Sequence, residues 1–327
     1  MNGRLHKFAI RSLHLPIDVS LFTFHPPIFV FLKPTTRAHI AVLCTNLFFS
    51  ANYSLVKMIS PSLIGPFAFN VLRVVTCIVL FWTIWLFGRS AAGIRREDLG
   101  RFILCGITGV TINQMLFIKG LTMTSTIHAS LLMLVTPLVV TVFALWLLKE
   151  PLTLFKVVGL LLGIGGPIFL VLQKEPGHHA TNYLLGDLLI LINSISYAFY
   201  FILVKPLMKN YSPLHVIRWV FTFGLPLMLP FGWNEVQTIH WGGFQLQHFL
   251  ALSSAIITGT FLAYYFNAYG IQHLGAGTTG SYIYTQPVFA VLIAVIIVGE
   301  TLTWQKIASG ILIFGGVYLA SLKKRKV

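Results

Sequence analysis

Two stripes of polar residues lie inside apolar segments of this 327-residue chain. In the first stripe, Asn46, Ser50 and Tyr53 stand at positions i, i+4 and i+7, the spacing that places side chains on one face of a helix. The second stripe consists of Asn193, Tyr197 and Tyr200. Polar groups in apolar surroundings face either a cavity or another helix. We favour two walls of one cavity, with packing between helices as the alternative.

Further amide and phenol groups occur in three other apolar segments and extend the predicted cavity. Together with the two stripes, the predicted set is Asn46, Ser50, Tyr53, Asn113, Gln114, Asn193, Tyr197, Tyr200, Tyr265, Asn267, Tyr284 and Gln286. Such groups hydrogen-bond carboxylates and amines, and phenol rings also pack against apolar groups. The set therefore favours a neutral or zwitterionic organic ligand.

Two arginines, Arg73 and Arg218, lie well inside apolar segments. Arg73 could bind an anionic ligand group, but its recurrence as Arg218 in the second half favours a structural role for both.

Acidic residues fall in tails, connections or segment edges, so a cationic drug would find no carboxylate at mid-segment. His128 is the best candidate for a titrating group. Glu300, like Glu150, is interpreted as an anchor for the helix that follows it.

Pro137 and Pro287 stand near the middles of their segments. A proline inside a helix removes a backbone donor and bends the helix. Each bend is predicted to be either a gating hinge or a static kink, and the sequence leaves both possibilities open.

The composition requires lipid around these segments. Hydrophobic residues make up 56% of the chain and charged residues 9%, and the mean hydropathy is +0.83, so the polar surface is too small for a water-soluble globule. The formal net charge of +15 is spread over short connections, which indicates membrane topology and not nucleic-acid binding. The three cysteines, Cys44, Cys77 and Cys105, show no metal-ligand spacing.

Segments of about 20 apolar residues are long enough to cross a bilayer. Ten are predicted, at 39–57, 65–87, 100–119, 127–148, 154–172, 184–204, 213–231, 248–270, 277–298 and 304–322. Residues 1–37 are predicted to be a basic tail, and 323–327 a second one. Lysine and arginine concentrate in alternate connections, so both termini are predicted to be cytoplasmic in a cell membrane.

An internal repeat divides the segments into two units, 38–174 and 183–322. Pro137 recurs as Pro287, Glu150 as Glu300 and the Ile-Thr-Gly starting at Ile107 as that starting at Ile257, each 150 positions apart. Because each unit contains five spans, an odd number, the second unit must enter the membrane from the opposite side. The predicted fold is all-α, with ten transmembrane helices in two inverted five-helix repeats around a central cavity.

The paired blocks that start at Pro137 and Pro287 and end in Gly165-Gly166 and Gly315-Gly316 resemble the EamA-like branch of the drug/metabolite transporter superfamily. The resemblance covers about residues 38–322. It implies a ten-helix basket that exports or imports amino acids, related metabolites or toxic analogues.

Function is therefore predicted to be membrane transport, most simply export, of small metabolites such as amino acids by alternating access. The alternatives are transport of phosphorylated or sugar-linked metabolites, and a non-transporting scaffold or sensor. Catalytic motifs such as HExxH and GxSxG do not occur in the sequence, so an enzyme is not expected, and no cofactor is implied. The glycine pair Gly159 and Gly163 predicts close helix packing, either within the chain or between two copies, so a monomer and a homodimer both stay open.

Overall fold

A computed structural model describes residues 33–87, 93–147, 154–172 and 182–321, and in these parts all regular structure is helical. Ten spans run through them. They are span 1, Pro34–Ile59; span 2, Pro66–Phe87; span 3, Arg96–Leu121; span 4, Thr126–Leu132 continued by Val135–Leu147; span 5, Leu154–Val171; span 6, Tyr183–Asn210; span 7, Pro213–Gln237; span 8, Leu246 to a bend at Gly275; span 9, that bend to Val298; and span 10, Trp304–Ser321. The ten predicted helices are confirmed.

Several helices extend beyond the predicted apolar segments. Span 1 begins at Pro34, where a proline suits the first turn of a helix. Span 6 begins where the Asn182 side chain accepts a hydrogen bond from the Leu185 amide, and it continues to Asn210. Hydropathy marks only the part of a helix that suits lipid, whereas caps decide where the helix ends. Residues 1–32, the tail 323–327 and Glu150 lie outside the described residues.

Length and composition alone identify seven described helices that could cross a membrane, plus a shorter apolar helix, Val157–Val171. One of the seven, Leu246–Val298, has 53 residues and contains two spans. At Gly275 the backbone takes φ 82° and ψ 158°, a conformation that glycine adopts without strain. A Cβ added to Gly270 would lie 3.3 Å from Oγ1 of Thr279, so the chain folds back on itself between these residues.

The two halves pack as inverted repeats. Spans 2 and 7 are antiparallel, because Phe81 meets Phe221 at one end and Val71 meets Gly232 at the other. Spans 5 and 10 are antiparallel in the same way. Backbone at Gly159 and Gly163 contacts Gly316, so the close packing predicted from the glycine pair occurs within the chain.

Spans 1 and 6 occupy equivalent central positions. Span 1 lies antiparallel to span 8, where Asn52 packs against Gly259. It lies parallel to span 9, where the Ser50 hydroxyl donates to the backbone carbonyl of Gln286 at 2.9 Å. Span 6 repeats this arrangement with spans 3 and 4. Ser194 donates to the carbonyl of Leu132 at 3.2 Å, as Ser50 does in the other half.

Both halves carry the same two helix irregularities. Spans 3 and 8 contain π-helical segments, Ile107–Ile112 and Ile257–Leu262, 150 positions apart. Spans 4 and 9 are interrupted at 133–134 and at Tyr282–Tyr284, three to five residues before their prolines. A proline ring clashes with the carbonyl four residues earlier, which accounts for the interruptions. Spans 4 and 9 therefore each depart from α-helical geometry just before the proline that the sequence singles out.

Candidate functional site

A small cavity of about 40 Å³ lies at the centre of the bundle, where seven spans meet. A cavity of this size holds a few water molecules at roughly 15 Å³ each. It is lined by Phe49, Asn52, Tyr53, Arg73, Asn113, Gln114, Phe117, Met133, Asn193, Tyr197, Tyr264 and Gln286. Polar side chains make up most of this lining, and phenylalanines from spans 1 and 3 form an apolar part of the wall.

Half of the predicted cavity residues meet here. They are Tyr53, Asn113, Gln114, Asn193, Tyr197 and Gln286. The other six are placed outside this lining: Asn46, Ser50 and Asn267 bond to lining residues, Tyr200 packs on Gly109, Tyr265 lies beside Phe266, and Tyr284 lines a second cavity.

Three polar lining residues were not in the predicted set: Asn52, Arg73 and Tyr264. Asn52 and Tyr264 each stand next to a predicted residue in the sequence, and the spacing alone did not decide which of two neighbours turns inward. Arg73 was interpreted as structural because Arg218 repeats it. In the structure the two arginines have different surroundings, which are described below.

Span 1 is joined to span 9 through Gln286. In the side chain of Gln286, Nε2 donates to Oδ1 of Asn46 at 2.9 Å, and Oε1 accepts from the Tyr53 hydroxyl at 3.1 Å. All three side chains are buried. Of the first stripe, Tyr53 lines the cavity, whereas Asn46 and Ser50 join span 1 to span 9 through Gln286.

Spans 3, 6 and 8 are joined by a second set of bonds. Asn113 donates to Asn193 at 2.6 Å, and Asn267 donates to the Tyr197 hydroxyl at 2.7 Å. The Gln114 amide donates to the Tyr264 hydroxyl at 3.2 Å. Each half thus contributes amides and phenols to the same cavity.

Arg73 extends from span 2 into the cavity lining and is only 3% exposed. Its Nε donates to Oγ1 of Thr260 at 2.7 Å, and its guanidinium lies 5.4 Å from the ring centre of Phe69. Within the described residues, its Nη1 has no hydrogen-bond partner.

Arg218, the repeat mate of Arg73, has a different environment. Its guanidinium lies 4.6 Å from the ring centre of Trp82 and 4.7 Å from that of Trp85, with Trp219 at 5.9 Å. Aromatic faces stabilise a cation through their quadrupole. A structural role therefore suits Arg218, whereas Arg73 belongs to the cavity.

A larger cavity of about 390 Å³, here called the vestibule, opens at one end of the bundle. It is lined by residues of spans 4, 6 and 9, one to three turns from the central cavity: Thr136, Pro137, Val140, Thr141, Phe143, Phe201, Ile202, Lys205, Ala276, Gly277, Gly280, Ser281, Ile283 and Tyr284. Phe201 packs edge-on against Tyr197 with ring centres 4.8 Å apart. Tyr197 lines the central cavity and Phe201 lines the vestibule, so this ring contact lies between the two.

At the opposite end, Glu300 ties spans 1, 4 and 9 together. Its carboxylate accepts from the amides of Thr126 and Ile127 at 2.9 and 3.2 Å, and lies 3.6 Å from the Lys57 ammonium. The interpretation of Glu300 as an anchor for the following helix was wrong, since it caps span 4 in the other half. Burial raises the pKa of Glu300, but Lys57 and the amides outweigh it, so the pKa lies below its usual value.

A buried histidine and aspartate lie at the same end. His128 Nδ1 is 3.0 Å from Oδ2 of Asp187, both side chains are 1% exposed, and Thr124 donates to the other carboxylate oxygen. The pair connects the starts of spans 4 and 6. The partner of His128 cannot be recognised from the sequence, because 59 positions separate the two residues.

The profile of the EamA-like transporter family matches residues 36–172 and again residues 184–322. The chain belongs to the EamA-like transporter family. The two matches correspond to the two halves of the bundle, and the resemblance drawn from the paired proline and glycine blocks is confirmed. This EamA-like chain is accordingly a multi-pass membrane protein of a transporter family.

Known relatives agree with the family. The EamA-like chain is 22% identical to the uncharacterized transporter YetK of Bacillus subtilis over 77% of each chain. It is 25% identical to a probable terminal-alkyne amino-acid exporter of Streptantibioticus cattleyicolor, over 69% of this chain and 75% of the relative. A crystal structure with 17% identity has the same fold, with a TM-score of 0.59 over 88% of this chain and 96% of the other.

Proposed function

We propose that this EamA-like transporter exports small neutral or zwitterionic metabolites, such as amino acids, by alternating access between its inverted halves. The observation that carries the proposal is the buried polar cavity between spans 1 and 6, to which both halves contribute amides and phenols. A membrane scaffold has no need of such a cavity, since polar groups at lipid depth are costly. The name of the Streptantibioticus relative supports an amino-acid-like substrate and outward direction.

The two ends of the bundle support alternation. At one end the vestibule approaches the cavity, and at the other Glu300 and Lys57 join three spans. In an inverted repeat each half is able to adopt the conformation of the other, which exchanges the open and closed ends. Pro137 and Pro287 interrupt spans 4 and 9, and we propose them as the hinges of this exchange.

The vestibule faces the cytoplasm in the proposed orientation. It lies at the end where span 1 begins, as the 2.7 Å bond between His39 and Tyr282 indicates. Basic residues concentrate at this end of the bundle: in the sequence, Arg89 and Arg95 fall in the connection between spans 2 and 3, and Arg96 and Arg101 follow in the first turns of span 3. We propose that both termini are cytoplasmic and that the membrane is the plasma membrane.

Uptake or efflux of labelled amino acids in proteoliposomes tests the proposal. We expect saturable movement of at least one amino acid, and loss of that movement when Asn46 and Asn193 are both changed to alanine. Asn234→Ala is the matched control, because Asn234 is an exposed asparagine near the end of span 7. Folded yield is measured in parallel by gel filtration.

No movement of any compound in a broad metabolite panel, with or without a proton gradient, would remove the carrier assignment and favour a scaffold or sensor. Movement that is confined to phosphorylated compounds would favour the alternative substrate class.

A further inference from the structure

Arg73 places a guanidinium in the lining of the central cavity, 5.4 Å from the Phe69 ring and without an acidic neighbour among the described lining residues. The side chain is 3% exposed, and only Nε is engaged by a neutral group, the Thr260 hydroxyl. Among the described residues that line the cavity, none is acidic. A buried charge is costly unless it is paired, so the arrangement is suited to a ligand that brings the negative charge with it.

The charge count limits the kind of anion. The lining contains one guanidinium, while Lys57 at the far end is engaged with Glu300, and Lys205 belongs to the vestibule. One guanidinium matches one carboxylate, which it binds through paired N–H donors. A phosphate monoester carries more charge than this cavity neutralises.

Hydrogen-bond acceptors lie in the same lining. Oδ1 of Asn52 and Oε1 of Gln114 are buried, and neither has a hydrogen-bond partner within the described residues. Asn52 lies against Gly259, the residue before Thr260, and so close to the group that holds Arg73. A protonated amine has three donors and no acceptor, and carbonyl oxygens suit it.

We infer that the central cavity, which must widen beyond its present volume of about 40 Å³ to admit a substrate, is an α-amino-acid site in which Arg73 binds the carboxylate and the oxygens of Asn52 and Gln114 accept from the ammonium. The inference rests on the proposed function for its transport step and narrows it to substrates with one free carboxylate. Phe49 and Phe117 form the apolar part of the wall that the substrate side chain contacts.

Thermal unfolding of the purified protein in detergent tests the site apart from transport. The probes are the common amino acids, each paired with its carboxamide, which keeps the amine and removes the negative charge. Acetate and inorganic phosphate are included as anions without an amine. We expect at least one amino acid to raise the unfolding temperature and its amide to leave it unchanged.

Arg73→Gln should abolish this selective response. Loss of a hydrogen bond to a charged group corresponds to roughly 10- to 150-fold weaker binding. The unfolding temperature without ligand should stay the same or rise, because an unpaired buried charge is removed. Arg218→Gln is the matched control, and it should lower the unfolding temperature and, in the folded fraction, keep the response to amino acids.

Thr260→Val provides a second variant in case Arg73→Gln does not fold. It removes only the hydroxyl that orients the guanidinium, and we expect weaker binding of the amino acid without a change in the response to its amide. Arg73→Lys should retain part of the response.

Several results would overturn the inference. These are equal responses to an amino acid and its amide, a response preserved in Arg73→Gln, a response to acetate or phosphate that equals the response to amino acids, or no response to any amino acid. The transport proposal fails separately: binding without movement in proteoliposomes removes the carrier and keeps the site. Movement that Arg73→Gln leaves intact removes the site and keeps the carrier.

Discussion

At the residue scale, close backbone approach matters as much as polar chemistry. Gly109 lies in the π-helical part of span 3, where the Tyr200 ring of span 6 packs directly on its Cα. Gly259 occupies the equivalent place in span 8 and is covered by Asn52. Packing therefore requires glycine in the repeated Ile-Thr-Gly, because a side chain of span 6 lies on the backbone of Gly109 and a side chain of span 1 lies on the backbone of Gly259.

Gly109→Ala should destabilise the protein. The new Cβ would lie 2.8 Å from Cγ of Tyr200, closer than real contacts allow, so the ring or the helix must shift at a cost of about 1–3 kcal/mol. Thermal unfolding in detergent measures the effect. Gly165→Ala is the control, because its Cβ would meet no described atom within 4 Å, and equal losses in both variants would contradict the packing argument.

At the element scale, carboxylates from the second half cap helices of the first. Glu300 accepts from the first amides of span 4, and Glu235 accepts from the amides of Phe67 and Ala68 at the start of span 2 at 2.8 and 2.9 Å. A negative charge at a helix N-terminus is favourable. Of these two carboxylates, Glu300 is the one that joins spans which all contribute to the central cavity, namely spans 1, 4 and 9.

Glu300→Gln should open the far end of the bundle more often. The change removes the charge that holds Lys57 and the amides, and it should change the rate of transport more than Glu235→Gln, the matched cap. The pKa of Glu300 is depressed in the folded state. Its stabilisation is therefore full above the ordinary carboxyl range and is lost as the pH falls through the depressed pKa.

A pH series of transport and of thermal unfolding compares wild type with both variants. The wild-type unfolding temperature should fall in acid by more than that of Glu300→Gln. Identical acid sensitivity in these two proteins would show that Glu300 contributes nothing at this end.

The interruptions of spans 4 and 9 support a separate prediction for the prolines. Changing Pro137 and Pro287 together to alanine restores two backbone donors and should straighten both helices. We expect transport to fall by a larger factor than the folded yield does. Equal loss of transport and folded yield would reduce the prolines to a structural role.

At the scale of the whole molecule, the sequence predicts what periodicity and repetition encode. The ten spans, the inversion and the packing of Gly159 and Gly163 follow from hydropathy and from the 150-residue repeat. The cavity was predicted only in part, because a stripe names a helix face but not the partner opposite it. Arg73 and Arg218 illustrate this limit. They are identical residues at repeated positions, but their environments differ, because Arg218 lies over the rings of Trp82 and Trp85.

Orientation in the membrane is tested by two reporter cysteines in a chain from which Cys44, Cys77 and Cys105 have been removed. Thr141→Cys lies in the vestibule, and Ser62→Cys lies on an exposed turn at the opposite end. A membrane-impermeant thiol reagent should label Thr141→Cys in inside-out vesicles and Ser62→Cys in right-side-out vesicles. The reverse labelling pattern would show that the molecule has the opposite orientation in the membrane, with the vestibule open to the outside of the cell. If the transporter alternates, Glu300→Gln should also lower labelling of Thr141→Cys, because opening the far end closes the vestibule.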